Sequence, residues 1–142
     1  MKNFYRKSII NFVTCLICVL ISACSFEART IKNEILKASP KTKNTIVKVD
    51  LAQFSKKKLL KMCIQTPYIT KKLMEERVGE DLRNFSEVDD KYFVLWLFYD
   101  QNPPVQIKFK ISKGLYFNLT QSSCSNSPII LLSNSVLQLN QI

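Results

Sequence analysis

Apolar and polar residues alternate with a period of two in several segments after Thr45, the pattern of strands with one face in a core and one in water. In Thr45–Leu51, Val47, Val49 and Leu51 alternate with Lys48 and Asp50, which predicts a first strand. Lys58–Gln65 puts Leu60, Met62 and Ile64 on one face and Lys61 and Cys63 on the other. Its lysine run and leucine pair fit a helical period nearly as well, so both readings stand there. Residues 91–99, Lys-Tyr-Phe-Val-Leu-Trp-Leu-Phe-Tyr, are apolar on both faces, as in a strand covered from both sides. Trp96 and its aromatic neighbours are therefore assigned to the core rather than to a ligand box. After the breaker Asp100-Gln101-Asn102-Pro103-Pro104, Val105, Ile107, Phe109 and Ile111 alternate with polar residues and complete a hairpin. Leu115, Phe117 and Leu119 mark another strand beyond Ser112-Lys113-Gly114. Ile129–Leu132 and Val136–Leu139, flanking Ser133-Asn134-Ser135, read as a final hairpin.

One segment reads as a helix instead. Thr66 is a good N-cap, Pro67 suits a first helical turn that needs no N–H, and Gly79 suits a left-handed C-cap, so a helix is predicted over residues 67–78. Ile69, Leu73 and Val78 form its apolar stripe, opposite a wet side of Lys71, Lys72, Glu75, Glu76 and Arg77. The expected fold of residues 45–142 is α+β: an antiparallel sheet of five or six strands with one principal helix.

The N-terminus follows different rules. Lys2, Arg6 and Lys7 precede a mostly apolar run from Ile9 to Ile21, shorter than the ~20 residues that a transmembrane helix needs and typical of a signal-peptide core. From Ser25 to Asn44 the composition turns polar, and residues 24–44 are read as a flexible tether with a root-mean-square reach of roughly 25 Å. Ile31, Ile35 and Leu36 are spaced for a short helix within it, to which the sequence assigns no partner.

Leu20-Ile21-Ser22-Ala23-Cys24 resembles the lipobox of bacterial lipoproteins: an aliphatic residue, two small residues and a cysteine. The resemblance implies cleavage of residues 1–23 between Ala23 and Cys24, a glyceride on the Cys24 thiol and an acylated amine. Several chains on one residue hold a protein at a membrane essentially permanently. Ser25, where inner-membrane retention in Gram-negative cells is associated with aspartate, implies the periplasmic face of the outer membrane. The five cysteines then partition without remainder. Cys15 and Cys18 leave with the signal peptide, where their CxxC spacing has no folded context, and Cys24 takes the lipid. Cys63 and Cys124 remain, and in an oxidising compartment they are expected to pair. A bridge over a loop of that length stabilises by roughly 4 kcal/mol on loop-closure entropy.

Formal net charge is +10, but the charges are segregated. Residues 28–72 hold twelve Lys or Arg against Glu34 and Asp50, whereas residues 75–100 hold eight acids against Arg77, Arg83 and Lys91. A basic section next to a lipid anchor suits anionic headgroups. The lysines lack the interleaved aromatics of a nucleic-acid interface, so no nucleic-acid partner is expected. The chain has no histidine, which removes the commonest general base and zinc ligand. With two glycines it has no phosphate-binding loop. The reading is of a binding protein: no enzyme, no metal, no cofactor and no evident small-molecule substrate. Lys61-Met62-Cys63-Ile64-Gln65-Thr66-Pro67-Tyr68 and Phe93-Val94-Leu95-Trp96, with the lipobox and tether, are similar to small periplasmic immunity lipoproteins of type VI secretion. That resemblance implies occlusion of an incoming toxin beside the membrane, and for a basic toxin Glu87, Asp89 and Asp90 are the expected contact. The alternative expectation is an accessory lipoprotein docked on an outer-membrane or cell-wall assembly.

Overall fold

In the computed structural model, which describes residues 26–39, 45–100, 103–111, 116–117, 124–133 and 136–140, the alternating segments form strands in two sheets. The strands are β1 (Ile46–Asp50), β2 (Leu59–Gln65), β3 (Tyr92–Tyr99), β4 (Val105–Lys110), β5 (Tyr116–Phe117), β6 (Cys124–Ser125), β7 (Ile129–Ser133) and β8 (Val136–Leu139). One sheet runs β4-β3-β2-β6 and the other β1-β7-β8-β5. Pairings are antiparallel except that β5 runs parallel to β8. The α+β class and the β3–β4 and β7–β8 hairpins match expectation, but the single sheet is corrected to two. Alternation fixes which side chains share a face without fixing which strand lies alongside, and β1 pairs with β7 rather than with β2.

A 3₁₀ turn, Leu51–Phe54, carries the chain from β1 toward β2 and the other sheet. The Asp50 carboxylate caps it by accepting from the Ala52 N–H at 3.0 Å, and the Leu51 N–H donates to the Pro128 carbonyl at 2.9 Å. The ambiguous segment is strand β2, with Met62 and Ile64 on one face and Cys63 on the other. In β3 every residue after Tyr92 is buried. Phe93, Leu95, Leu97 and Tyr99 enter a first core between the two sheets, while Val94, Trp96 and Phe98 enter a second core on the opposite face. A strand buried on both sides needs large apolar side chains at successive positions, which explains the unbroken run.

The first core holds a helix from within the segment expected as a tether. Residues 26–38 form α1, whose Ile31 and Ile35 are completely buried and whose Ala28 and Ala38 pack beside them. The spacing 28, 31, 35, 38 is a stripe one side chain wide on a helix whose other apolar residues, Phe26 and Leu36, are exposed, too narrow to announce burial without the sheets that receive it. Removing two isoleucines from water contributes about 1.5–3 kcal/mol each. The folded unit therefore begins no later than Phe26, not at Thr45.

The second helix, α2 (Lys71–Val78), ends as expected at Gly79, whose φ of 80° is the left-handed region that glycine occupies without strain. Its start is corrected: Thr70 is the N-cap, accepting from the Leu73 N–H at 3.4 Å, and Thr66 and Pro67 lie outside the helix. The reason is Tyr68, whose φ of 60° is incompatible with a right-handed helix. The buried face shifts with the start, to Met74 and Val78, leaving Leu73 exposed. The signal segment 1–23, Cys24, the turn 112–114 and most of the strand expected over 115–120 lie outside the described residues. Among the described residues no helix is long and apolar enough to cross a membrane.

Candidate functional site

The second core determines how the acidic stretch is displayed. Trp96 brings an indole N–H into a fully buried position, where an unpaired donor would be costly, and Gln65, diagonal to it on β2, accepts that bond at 2.8 Å. The Gln65 amide donates in turn to the Ser86 carbonyl at 2.7 Å, pinning the loop between α2 and β3 over the sheet. Leu82 and Val88 are buried beneath this loop, and Phe85 stacks on Trp96 with ring centroids 6.4 Å apart. With Val88 turned inward, Glu87, Asp89 and Asp90 are all exposed. The Asp89 carboxylate accepts from the Lys91 N–H at 3.0 Å, and its carbonyl accepts from the Tyr92 N–H at 3.2 Å, a turn that leads directly into β3.

Three other acids on this side, Glu75, Glu80 and Asp81, are held by lysines. Lys71 reaches Glu75 at 3.3 Å and Asp81 at 3.2 Å. Its pKa is raised from 10.5 by Asp81 first and Glu75 second. Glu75 also accepts from the Leu82 N–H at 2.9 Å, closing the chain after Gly79. Lys61 donates to the Val78 carbonyl at 2.5 Å, contacts Glu80 at 3.3 Å and lies 5.0 Å over the Phe98 ring. Among the described residues Glu87, Asp89 and Asp90 have no such ion pair, so the trio singled out in the sequence, like Glu76 on α2, is left to solvent.

Tyr68 joins them, a residue that sequence reasoning did not select. Its N–H donates to the Val88 carbonyl at 3.0 Å, placing its backbone beside the residue that Glu87 and Asp89 flank. Its ring is 70 % exposed, and a non-glycine residue at φ 60° has a strained backbone maintained by its surroundings. The local sequence Thr66-Pro67-Tyr68 gives no sign of this, because the constraint comes from Val88, twenty positions on. Cys63 and Cys124 are bonded, as expected: they are register partners on β2 and β6 with Cα atoms 4.0 Å apart. Ala23 and Cys24 lie outside the described residues.

A second polar cluster sits on the side of the first core. Phe26, Glu27 and Thr30 of α1, with Phe54 at the end of the 3₁₀ turn and Ser55–Lys57 after it, line an open cleft of about 270 Å³. Lys57 Nζ is 3.8 Å from the Glu27 carboxylate and 5.8 Å above the Tyr99 ring. Glu27 Oε1 and the Tyr99 hydroxyl are both buried, and among the described residues neither has a well-formed hydrogen bond, although Glu27 and Ser55 lie close enough to act on the phenol. Burial first, and the nearby Glu27 charge second, push the Tyr99 phenol well above its ordinary range. Among the described residues no group of three His, Cys, Asp or Glu is placed to hold a metal ion. In comparisons with known proteins, no family model, no curated protein and no solved structure matches the chain.

Proposed function

We propose that this protein is a lipid-anchored periplasmic lipoprotein that binds a protein partner through Tyr68, Glu87, Asp89 and Asp90, and that it acts as an immunity protein covering a toxin delivered to the periplasm. The observation that carries the reading is Tyr68, an exposed aromatic side chain on a backbone fixed by Val88 and bordered by carboxylates without lysine partners. An aromatic residue mounted on a fixed backbone loses little freedom on binding, and tyrosine is among the residues that dominate interface energies. The neighbouring carboxylates steer a basic partner and suppress acidic ones. The lipobox Leu20–Cys24 supports the anchor, and the Cys63–Cys124 bridge suits an oxidising compartment.

The reading is tested in competition. A strain lacking the gene is challenged by kin carrying an active secretion system, then complemented with wild type or with Tyr68→Asn, Glu87→Lys and Asp90→Lys combined. Asparagine tolerates the left-handed backbone, and none of the three side chains is buried, so the variant keeps its fold. Wild type is expected to restore survival, and the variant to bind the toxin at least about thirtyfold more weakly and to leave cells sensitive. Unchanged survival of the deletion strain removes the immunity role and favours an envelope accessory. Full protection by the variant moves the contact elsewhere.

A further inference from the structure

We propose that the end of the domain bearing Phe26, Arg29, Lys56 and Lys57 is a membrane-contact surface that seats on anionic phospholipid headgroups. This rests on the lipid anchor at Cys24 and adds what that anchor does to the orientation of the domain. Cys24 is two residues from Phe26, a separation that a fully extended backbone spans in at most about 7 Å. Phe26 belongs to α1, and α1 is locked to the sheets by Ile31 and Ile35. Acyl chains on Cys24 therefore hold this end of the domain at the bilayer surface, with no long spacer between them.

The residues found at that end suit the location. Phe26 is 74 % exposed, a costly state for an aromatic ring in water and a favourable one at the headgroup boundary. It shares its cleft with Lys56 and Lys57, and Arg29 is exposed one helical turn along α1. The acid beside them, Glu27, is only 14 % exposed and is neutralised by Lys57, so the surface presents net positive charge. The acidic loop covers the opposite face of the β4-β3-β2-β6 sheet, away from headgroups of its own sign. The Phe26 end and the acidic loop therefore belong to different faces of the sheet, one suited to lipid and the other to the partner.

The test uses the mature chain with Cys24→Ser, which removes the lipid and leaves the domain intact, sedimented with vesicles of phosphatidylcholine alone or mixed with phosphatidylglycerol. Binding is expected to be about tenfold stronger to the anionic vesicles, to fall back to the neutral level in Phe26→Ser with Lys56→Glu, and to be unchanged by Lys72→Glu on α2. Equal binding to both vesicle types, or equal loss from Lys72→Glu, overturns the surface. Palmitate labelling of the wild-type protein in cells tests the anchor separately. Absence of label on Cys24 removes the anchor and the inference with it, whereas a labelled Cys24 with charge-blind vesicle binding removes the contact surface alone.

Discussion

The two faces of β3 bury different kinds of neighbour. Phe93, Leu95, Leu97 and Tyr99 meet a core gathered from the whole chain, from Ile31 on α1 to Leu139 on β8. Val94, Trp96 and Phe98 meet a core closed mainly by one continuous segment, from Cys63 through α2 and the acidic loop. Polar groups are also treated differently. In the locally built core the Trp96 indole and the Gln65 amide are both satisfied, because the loop that covers them supplies the Ser86 carbonyl. In the core assembled from distant pieces, the Tyr99 hydroxyl and Glu27 Oε1 come together without a well-formed hydrogen bond. A segment folding back on its own neighbours brings its backbone acceptors with it, while a helix arriving from elsewhere brings only its side chains.

The largest expected effect falls on the locally closed core. Cys63→Ala with Cys124→Ala should cost about 4 kcal/mol in urea unfolding. Amide exchange should rise more in β2 and α2 than in β7 and β8, and an equal rise would mean that the two cores unfold as one cooperative unit. Next, Ile35→Ala should cost about 3 kcal/mol, the usual loss for truncating a fully buried isoleucine. A change within about 0.5 kcal/mol would return α1 to the status of a tether and undo the contrast between the cores. The smallest effect is at this pair: Tyr99→Phe removes a buried hydroxyl without a well-formed hydrogen bond and should change stability by no more than about 1 kcal/mol. This variant also carries a pH signature. The folded phenol keeps its proton to higher pH than the unfolded one, whose pKa is near 10.0, so wild-type stability is intact below pH 10.0 and declines above it. Denaturation midpoints measured across that range should decline less steeply for Tyr99→Phe than for wild type.

What the sequence revealed depended on whether the signal was local. The doubly apolar β3, the alternating β4 and the Gly79 cap could all be read from neighbouring residues, because burial on two faces, burial on one face and a left-handed turn each leave a mark at short range. The outward display of Glu87, Asp89 and Asp90 was legible for the same reason. Three features were hidden because their causes lie far along the chain. The split into two sheets depends on β1 choosing β7. The burial of Ile31 and Ile35 depends on sheets formed later in sequence, and a helix with only two such positions resembles a solvated one. Tyr68 takes its backbone from a hydrogen bond to Val88, which displaced the start of α2 and made Thr66-Pro67, a sound helix opening by local rules, part of a turn instead.

The pairing of β1 with β7 also sets a schedule for folding. Ile46 lies opposite Ser133, so β1 has no neighbour until strands far along the sequence are present to pair with it. Until then the hydrogen-bonding edge of β1 is open, with Val47 and Val49 uncovered beside it. The domain is obliged to finish folding after its last strands emerge, and an emerging chain of this kind is a natural client for a chaperone that shields strand edges.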